Sequence, residues 1–141
     1  MIDPAELLAA GWTRAEASGF TGQLGPFWLR GAGAERQIGI IAAPLHANNH
    51  MGTVHGGALM TFADIALGFR ASDAIGGAAC VTAQLQLQFV AGARLGEFIT
   101  CRPELVRRTT QLVFVRGLIT ADERTVASAD GIWKVLEPRP R

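Results

Sequence analysis

The stretch HANNHMGTVHGGALMTFAD, at residues 46–64, decides the fold of this chain. It holds all three histidines, an Asn-Asn pair and a Gly-Gly pair, and it leads into a strongly apolar run. From residue 57 to about 70 the only polar residues are Thr61, Asp64 and Arg70. A helix that is apolar nearly all round is buried rather than placed on a surface. The pattern therefore predicts a polar loop followed by a long buried helix.

The carboxylate of this helix and the glycines before it indicate chemistry at an acyl carbonyl. An ionised carboxylate on a buried helix is costly unless it has a partner or a purpose. The flanking sequence FADIAL offers Asp64 no basic partner, so we interpret it as a general base. The alternative is a carboxylate that pairs with a neighbouring arginine or is exposed to solvent at a helix edge. Gly56 and Gly57 open the helix, where unpaired N–H groups can polarise a thioester or ester carbonyl. A plain tight turn is the other interpretation of these glycines.

The separation of these groups predicts a dimer. Gly56 and Asp64 are eight residues apart. That separation is about 12 Å along a helix axis, which the Asp64 side chain cannot cover. One helix therefore cannot present both groups to the same carbonyl carbon. If both act in one reaction, they come from two subunits, which predicts an obligate homodimer with two equivalent sites at its interface.

The rest of the chain is predicted to form mainly strands. Residues 81–90, VTAQLQLQFV, alternate so that Thr82 and the glutamines share one face and the apolar side chains share the other. Further elements are a short helix at 3–10 and strands at 26–30, 36–43, 97–106, 110–121 and 125–136. Successive strands without an intervening helix predict an antiparallel sheet against the long helix, an α+β fold. One domain is expected over 1–141, with 1–20 as an N-terminal helical extension.

The composition excludes several classes of protein. Of 141 residues, 49% are hydrophobic and 18% charged, which excludes a disordered chain and predicts burial, in part beneath partner subunits. The net charge of +1, from 13 basic and 12 acidic residues, gives no reason to expect nucleic-acid binding. We find neither a signal-peptide pattern nor an apolar run near the roughly 20 residues that span a bilayer. A cytoplasmic protein without membrane contact is expected.

Several other side chains of the loop and strands admit two roles. His55 either orders the loop or contacts the substrate carbonyl region. Asn49 either donates to a water or a carbonyl or serves as a turn residue. A zinc site built from the three histidines is disfavoured, because the loop adds no further ligand pattern, so no metal is predicted. Cys80 and Cys101 are expected to be buried free thiols, with a disulfide as the alternative.

The stretch at 46–64, together with VTAQLQLQFVAGARLGEFITC at 81–101, resembles the hotdog-fold acyl-CoA thioesterases of the 4-hydroxybenzoyl-CoA thioesterase superfamily. The branch of the phenylacetate-pathway thioesterase is the most similar one. The resemblance covers roughly residues 24–136, and its motif is N-x-x-G-T-V-H-G-G followed seven residues later by Asp. It implies a long helix wrapped by a five- or six-stranded antiparallel sheet, in homodimers that pair into homotetramers. It also implies hydrolysis of an acyl-CoA to a free acid and CoA, without a cofactor.

Residue roles follow from this resemblance by position. Asn49 matches the asparagine that positions the thioester or the attacking water, and Gly56 matches the glycine whose N–H polarises the carbonyl. Asp64 matches the general base or nucleophile. Thr82 falls where relatives often place a Ser or Thr that holds the water. On the dimer argument, Asn49, His55 and Gly56 act from one chain, and Asp64 with Thr82 from the other.

The CoA end of the site is expected in two places. Gly57 joins Gly56 at the helix start as a substrate-binding residue. Arg107, Arg108 and Thr109 precede the next strand, where they can reach the CoA phosphates. An equally good alternative is that these three residues form a solvent-exposed turn with no role in binding.

The acyl group and two rival functions stay open. Phe62, Phe69 and Phe89 lie near the helix and would admit an aryl or a medium-chain acyl group. One rival is a non-catalytic module that binds or senses acyl-CoA. The other is a hotdog hydratase or dehydratase, whose chemistry usually asks for a helix histidine that this chain lacks.

Overall fold

One long helix lies against an antiparallel sheet of eight strands in the computed structural model, which describes residues 2–49 and 51–137. The helices are α1 (Pro4–Ala9), α2 (Gly19–Leu24) and α3 (Gly56–Ala74), with short 3-10 turns at Gly33–Glu35 and Pro44–His46. The strands are β1 (Thr13–Arg14), β2 (Phe27–Arg30), β3 (Gln37–Ile41), β4 (Cys80–Phe89), β5 (Phe98–Cys101), β6 (Glu104–Arg108), β7 (Leu112–Ala121) and β8 (Arg124–Val135). The predicted α+β class is confirmed.

The sheet leaves one long strand at its edge. The strand order is β1-β2-β3-β5-β7-β8-β4, and β6 pairs with β7 beside β5. Strand β4 pairs with β8 along one side, and no strand of the described chain pairs with its other side. Such an edge presents a row of unpaired backbone N–H and C=O groups.

The main core lies between α3 and the inner face of the sheet. The apolar side of α3 buries Leu59, Phe62, Ala63, Ala66, Leu67 and Ala71. The Phe62 ring stacks on Phe27 of β2 with ring centroids 6.3 Å apart. Side chains from β3, β5, β7 and β8 complete this cluster. The apolar run after Gly57 therefore serves as the centre of the fold, because it meets a sheet along most of its length.

A second, smaller core covers the opposite face of the sheet. Helix α1 begins with a cap, in which the Glu6 N–H donates to Asp3 Oδ1 at 2.9 Å. This helix and the residues after it bring Leu7 and Trp12 against Trp28 of β2. Trp12 also meets Phe98 edge-to-face at 5.0 Å. The first strands of the sheet are therefore covered on both faces.

Four elements differ from the sequence-based expectation. Helix α3 continues past residue 70 because Asp73 in its last turn forms a bidentate ion pair with Arg36, at 2.9 and 3.0 Å. The expected single strand at 97–106 is two strands, since Pro103 has no N–H to continue the ladder. The short elements β1 and α2 were not predicted. No helix among the described residues is long and apolar enough to cross a membrane.

Candidate active site

The start of α3 leaves one backbone donor unused. His55 is the N-cap residue, and its Nδ1 accepts the Gly57 N–H at 2.8 Å. The Gly57 N–H is thus engaged within the chain, and a contact of Gly57 with substrate stays a prediction. Within residues 2–49 and 51–137, the Gly56 N–H makes no hydrogen bond. The first N–H groups of a 19-residue helix carry partial positive charge, so Gly56 offers an acceptor a free, polarised donor.

The loop before α3 is anchored by a buried histidine. His46 is 5% exposed, its Nδ1 accepts the Ala43 N–H at 3.0 Å, and its Nε2 donates to the Leu24 carbonyl at 2.7 Å. Its own carbonyl accepts the His55 N–H at 2.8 Å. Both ring nitrogens are engaged, so His46 is not free to bind zinc. The described residues contain no cluster of metal-ligating side chains, and His50 lies outside them.

The tip of the same loop carries Asn49. The Asn48 N–H donates to the Thr53 carbonyl at 2.7 Å, and Ala47 pairs with Val54 as an isolated β-bridge. These contacts close the loop ahead of α3. Asn49 is exposed in the turn at its tip. Both interpretations of Asn49, as a turn residue and as a donor to substrate or water, therefore stay predictions.

The carboxylate of α3 has a hydroxyl partner on the edge strand. The Thr82 Oγ1 donates to Asp64 Oδ1 at 2.6 Å. Burial, and then the negative charge of Asp64, raise the pKa of the nearby Cys80 thiol. Arg70 lines a cleft with Pro103, away from this strand, so it is not the partner of Asp64. The structure therefore does not support the alternative prediction that Asp64 pairs with an arginine.

A β-bulge brings Thr82 to this side of the sheet. Thr82 pairs with Trp133 and Gln84 with Ile132, so Ala83 is an extra residue in β4. Strict alternation places Thr82 on the face opposite Leu85, and that expectation is wrong. A bulge shifts the period of a strand by one residue and re-aims the side chains before it. Thr82 therefore shares the helix-facing side with Leu85.

The other end of β4 lies beside the start of α3. A Cβ built on Gly56 would lie 3.5 Å from Cζ and 3.6 Å from Cε1 of Phe89. Phe89 is 55% exposed, whereas Phe62 is 2% exposed in the core. The Phe69 ring lies under the guanidinium of Arg36, 5.8 Å from its centroid. Of the three phenylalanines, Phe89 is the one that borders the free donor.

The residues expected at the CoA phosphates lie at the far end of α3. The Arg108 Nη1 donates to the Ala74 carbonyl at 3.1 Å, and the Thr109 Oγ1 accepts the Leu112 N–H at 3.0 Å. Arg107 is exposed on β6. Ala74 is ten residues beyond Asp64, about 15 Å along the helix. Within one chain, the Gly56 N–H, the Asp64 carboxylate and the Arg108 guanidinium group therefore lie at three separate places along α3.

Known proteins resemble the chain in sequence. The profile of the thioesterase superfamily matches residues 51–128, more than half of the chain. The chain belongs to the thioesterase superfamily. A Pseudomonas aeruginosa protein whose name proposes an esterase, PA0474, is 34% identical over 113 residues, which are 78% of this chain and 83% of that protein. The family match and the name of this relative both support the prediction that the protein is a hydrolase.

Solved structures share the fold of this thioesterase-superfamily chain. The Escherichia coli PaaI protein of the phenylacetic acid degradation operon matches with a TM-score of 0.74 and 19% identity, over 83% of each chain. A hypothetical thioesterase of Streptococcus pneumoniae, solved with coenzyme A, matches with a TM-score of 0.72 and 22% identity, over 81% of this chain and 91% of that one. These likenesses confirm the predicted hotdog fold.

Proposed function

We propose that this protein hydrolyses acyl-CoA thioesters to a free acid and CoA as a homodimer. The observation that carries the proposal is the Asp64–Thr82 hydrogen bond of 2.6 Å, on the same helix as the unused Gly56 N–H. The Gly56 N–H and the Asp64 carboxylate are about 12 Å apart along the axis of α3. A site that uses both groups must therefore take one from each of two subunits. The coenzyme A in the Streptococcus pneumoniae structure supports CoA as the carrier of the acyl group.

The edge strand supports the dimer. Strand β4 is ten residues long, and along or just after it Val81, Phe89 and Val90 are 48%, 55% and 61% exposed. A long edge with exposed apolar side chains favours pairing with another strand. A two-fold axis beside α3 and β4 would pair β4 with its copy and place Gly56 of each subunit opposite Asp64 of the other. Pairing of two such dimers into a homotetramer stays part of the proposal.

The reaction follows from these positions. The Gly56 N–H donates to the thioester carbonyl oxygen, while Asp64 of the partner subunit takes a proton from a water that attacks the carbonyl carbon. Negative charge then develops on the oxygen beside the helix N-terminus, which stabilises it. Collapse of the tetrahedral intermediate breaks the C–S bond, and the proton on Asp64 passes to the CoA thiolate. The Thr82 hydroxyl fixes one carboxylate oxygen and leaves the other for the water.

The remaining predicted residues frame the substrate in this proposal. Asn49 orients the thioester or the water from the same chain as Gly56, and His55 holds the first turn of α3. Arg107 and Arg108 lie about 15 Å beyond Asp64 on the same chain, a span that the extended pantetheine arm has to bridge. The phosphates of CoA then meet these two guanidinium groups.

Replacing Asp64 by alanine tests the base. We expect thiol release to fall by about 10²–10⁴-fold, the usual contribution of a general base, with the fold and the oligomeric state unchanged. Asp130→Ala is the matched control, because Asp130 is exposed on β8 away from α3. Unchanged turnover in Asp64→Ala would contradict the assignment.

Mixing two inactive variants tests the shared site. Gly56→Pro removes the N–H at the first helical position, which tolerates proline, and the ψ of 139° at His55 suits a residue before proline. In an equal mixture with Asp64→Ala, half of the dimers are mixed and hold one complete site, so about a quarter of the wild-type activity returns. A mixture that forms mixed dimers and stays inactive would show that the two groups do not meet across the interface.

A further inference from the structure

A cleft beside the second half of α3 contains an arginine whose polar groups are not fully paired. The cleft is lined by Ala34, Arg70, Arg102, Pro103, Glu104 and Leu105. The Nε–H of Arg70 is shielded from solvent and has no hydrogen-bond partner within residues 2–49 and 51–137. Shielding part of a cation without a compensating contact is unfavourable. A bound water or ion is one physical explanation of such an unpaired donor.

The carboxylates around this cleft already have their own cations. Three ion pairs surround it, namely Arg36–Asp73, Arg102–Glu35 and Arg116–Glu104. None of them includes Arg70, which therefore adds a positive charge that no ion pair neutralises in the described part of the chain. The side chains of Arg102 and Glu35 are 53% and 72% exposed, so their pairing contributes little stability. A guanidinium group has five N–H donors, which leaves Arg102 donors for a further anion.

The cleft lies apart from the groups proposed for catalysis. Arg70 is six residues after Asp64, about 9 Å along the axis of α3 and about a third of a turn around it. Arg70 therefore faces Pro103 and the start of β6, whereas Asp64 faces Thr82 of β4. An anion bound in the cleft would use none of the catalytic groups, so the inference goes beyond the proposed function.

We infer that this cleft binds a phosphate monoester between the guanidinium groups of Arg70 and Arg102. Each guanidinium group presents N–H donors in a planar fork that matches two phosphate oxygens. A monoester has three free oxygens and so accepts from both forks at once, whereas a carboxylate has only two. The cleft has a volume of about 360 Å³, which accommodates a phosphate group and part of the organic group that carries it. Glu104 also lines the cleft, but its carboxylate is held by Arg116.

Titration with inorganic phosphate tests the site. The Tm is measured by circular dichroism at neutral pH, with sodium chloride keeping the ionic strength constant. The wild-type Tm is expected to rise and to saturate, because a ligand that binds only the folded state stabilises it by mass action. Arg70→Met keeps an unbranched stem and removes the charge and the donors, so the apparent Kd is expected to weaken about ten- to a hundred-fold. In Arg102→Met it is expected to weaken about three- to ten-fold.

A matched control removes the same charge elsewhere. Arg94 is exposed in the loop between β4 and β5, at the opposite end of β5 from Arg102. Arg94→Met is expected to respond to phosphate as the wild type does. Phosphate also stabilises proteins in general, because it is excluded from their surface. That contribution does not saturate and is common to all variants, so it is subtracted.

Two results would overturn the inference. One is a wild-type response to phosphate that does not saturate. The other is an apparent Kd in Arg102→Met equal to that of wild type. The second result decides even if Arg70→Met fails to fold, because Arg102 is half exposed and its replacement leaves the core untouched.

The source of the phosphate is found by comparing CoA with dephospho-CoA, which lacks the 3′-phosphate. Isothermal titration calorimetry gives the Kd of each for wild type and for Arg70→Met. A preference for CoA that is lost in Arg70→Met supports the site and assigns it to the 3′-phosphate of CoA. An unchanged preference, together with a lost response to inorganic phosphate, supports a site for a separate phosphate ester. A failure of thiol release would overturn the proposed hydrolysis and leave this site intact.

Discussion

Replacing Gly56 by alanine is expected to stabilise the fold and to lower the activity at the same time. Gly56 is the first residue of α3, and among residues 2–49 and 51–137 a Cβ built there meets only the Phe89 ring, at 3.5 Å, an ordinary van der Waals contact. Glycine inside a helix costs about 0.5–1 kcal/mol relative to alanine. At a helix terminus the gain in the free energy of unfolding is about half of that, a rise in Tm of roughly 1–2 °C for a chain of this size.

The same methyl group would stand beside the donor that the thioester needs. Glycine allows a substrate to approach the backbone closely, and the added Cβ takes up space beside the Gly56 backbone, 3.5 Å from the Phe89 ring. Loss of one oxyanion donor lowers kcat by about 10²–10³-fold. Because Gly56→Ala obstructs the donor but keeps it, we expect kcat/KM to fall by about 10²-fold in a thiol-release assay.

Gly68→Ala provides the matched control. Gly68 lies on the same helix, and a Cβ there would meet Trp133 Nε1 at the same 3.5 Å. This variant is expected to gain up to about 1 kcal/mol of stability. Because Gly68 lies one helical turn after Asp64, Gly68→Ala is the control for stability, and Asp130→Ala is the control for activity. Wild-type activity in Gly56→Ala, or an equal loss of activity in Asp130→Ala, would refute the role of the Gly56 backbone.

Three further variants or treatments test the surroundings of the site. His46→Ala leaves two part-buried backbone groups, the Ala43 N–H and the Leu24 carbonyl, without partners, so urea unfolding should show a loss of about 2–4 kcal/mol, and a loss below about 0.5 kcal/mol would contradict the anchoring role. The Arg124 guanidinium lowers the pKa of Glu97 below its usual range, so its stabilising effect is complete above about pH 4.5 and is lost as the pH falls through the lowered value. Glu97→Gln should therefore be less stable than wild type at neutral pH and equal to it in acid, whereas a constant difference between the two unfolding curves would argue against this ion pair. Burial raises the pKa of Cys101 to about 12, so iodoacetamide should modify Cys101 only in unfolded protein, and rapid labelling of the native chain would disagree with its burial.

Local sequence patterns were sufficient for the central part of the molecule. The run that became α3 is apolar over many consecutive turns, so its helical and buried state required no knowledge of distant residues. Asp64 stood out for the same reason, as a single carboxylate in that run. Its hydroxyl partner was harder to place. Thr82 reaches Asp64 only because Ala83 is bulged, and an alanine in an alternating strand gives no sign of a bulge.

Contacts between distant parts of the chain could not be predicted. His46 is anchored by the carbonyl of Leu24, 22 residues earlier, so its structural role is invisible in the polar loop that contains it. The second core joins Trp12 to Phe98 across the back of the sheet. By contrast, the break at Pro103 was visible in the sequence, since proline has no N–H to donate to the hydrogen-bond ladder of a sheet. The prediction of a single strand at 97–106 did not take this proline into account.

The placement of the tryptophans gives the molecule its own fluorescent reporters. Trp12 and Trp28 belong to the outer layer and Trp133 to the helix layer, and all three are less than 5% exposed. In a Trp133→Phe protein, emission would come from the outer layer alone. A red shift of this emission at a temperature below that of global unfolding would show that helix α1 separates from the sheet before the rest of the molecule unfolds.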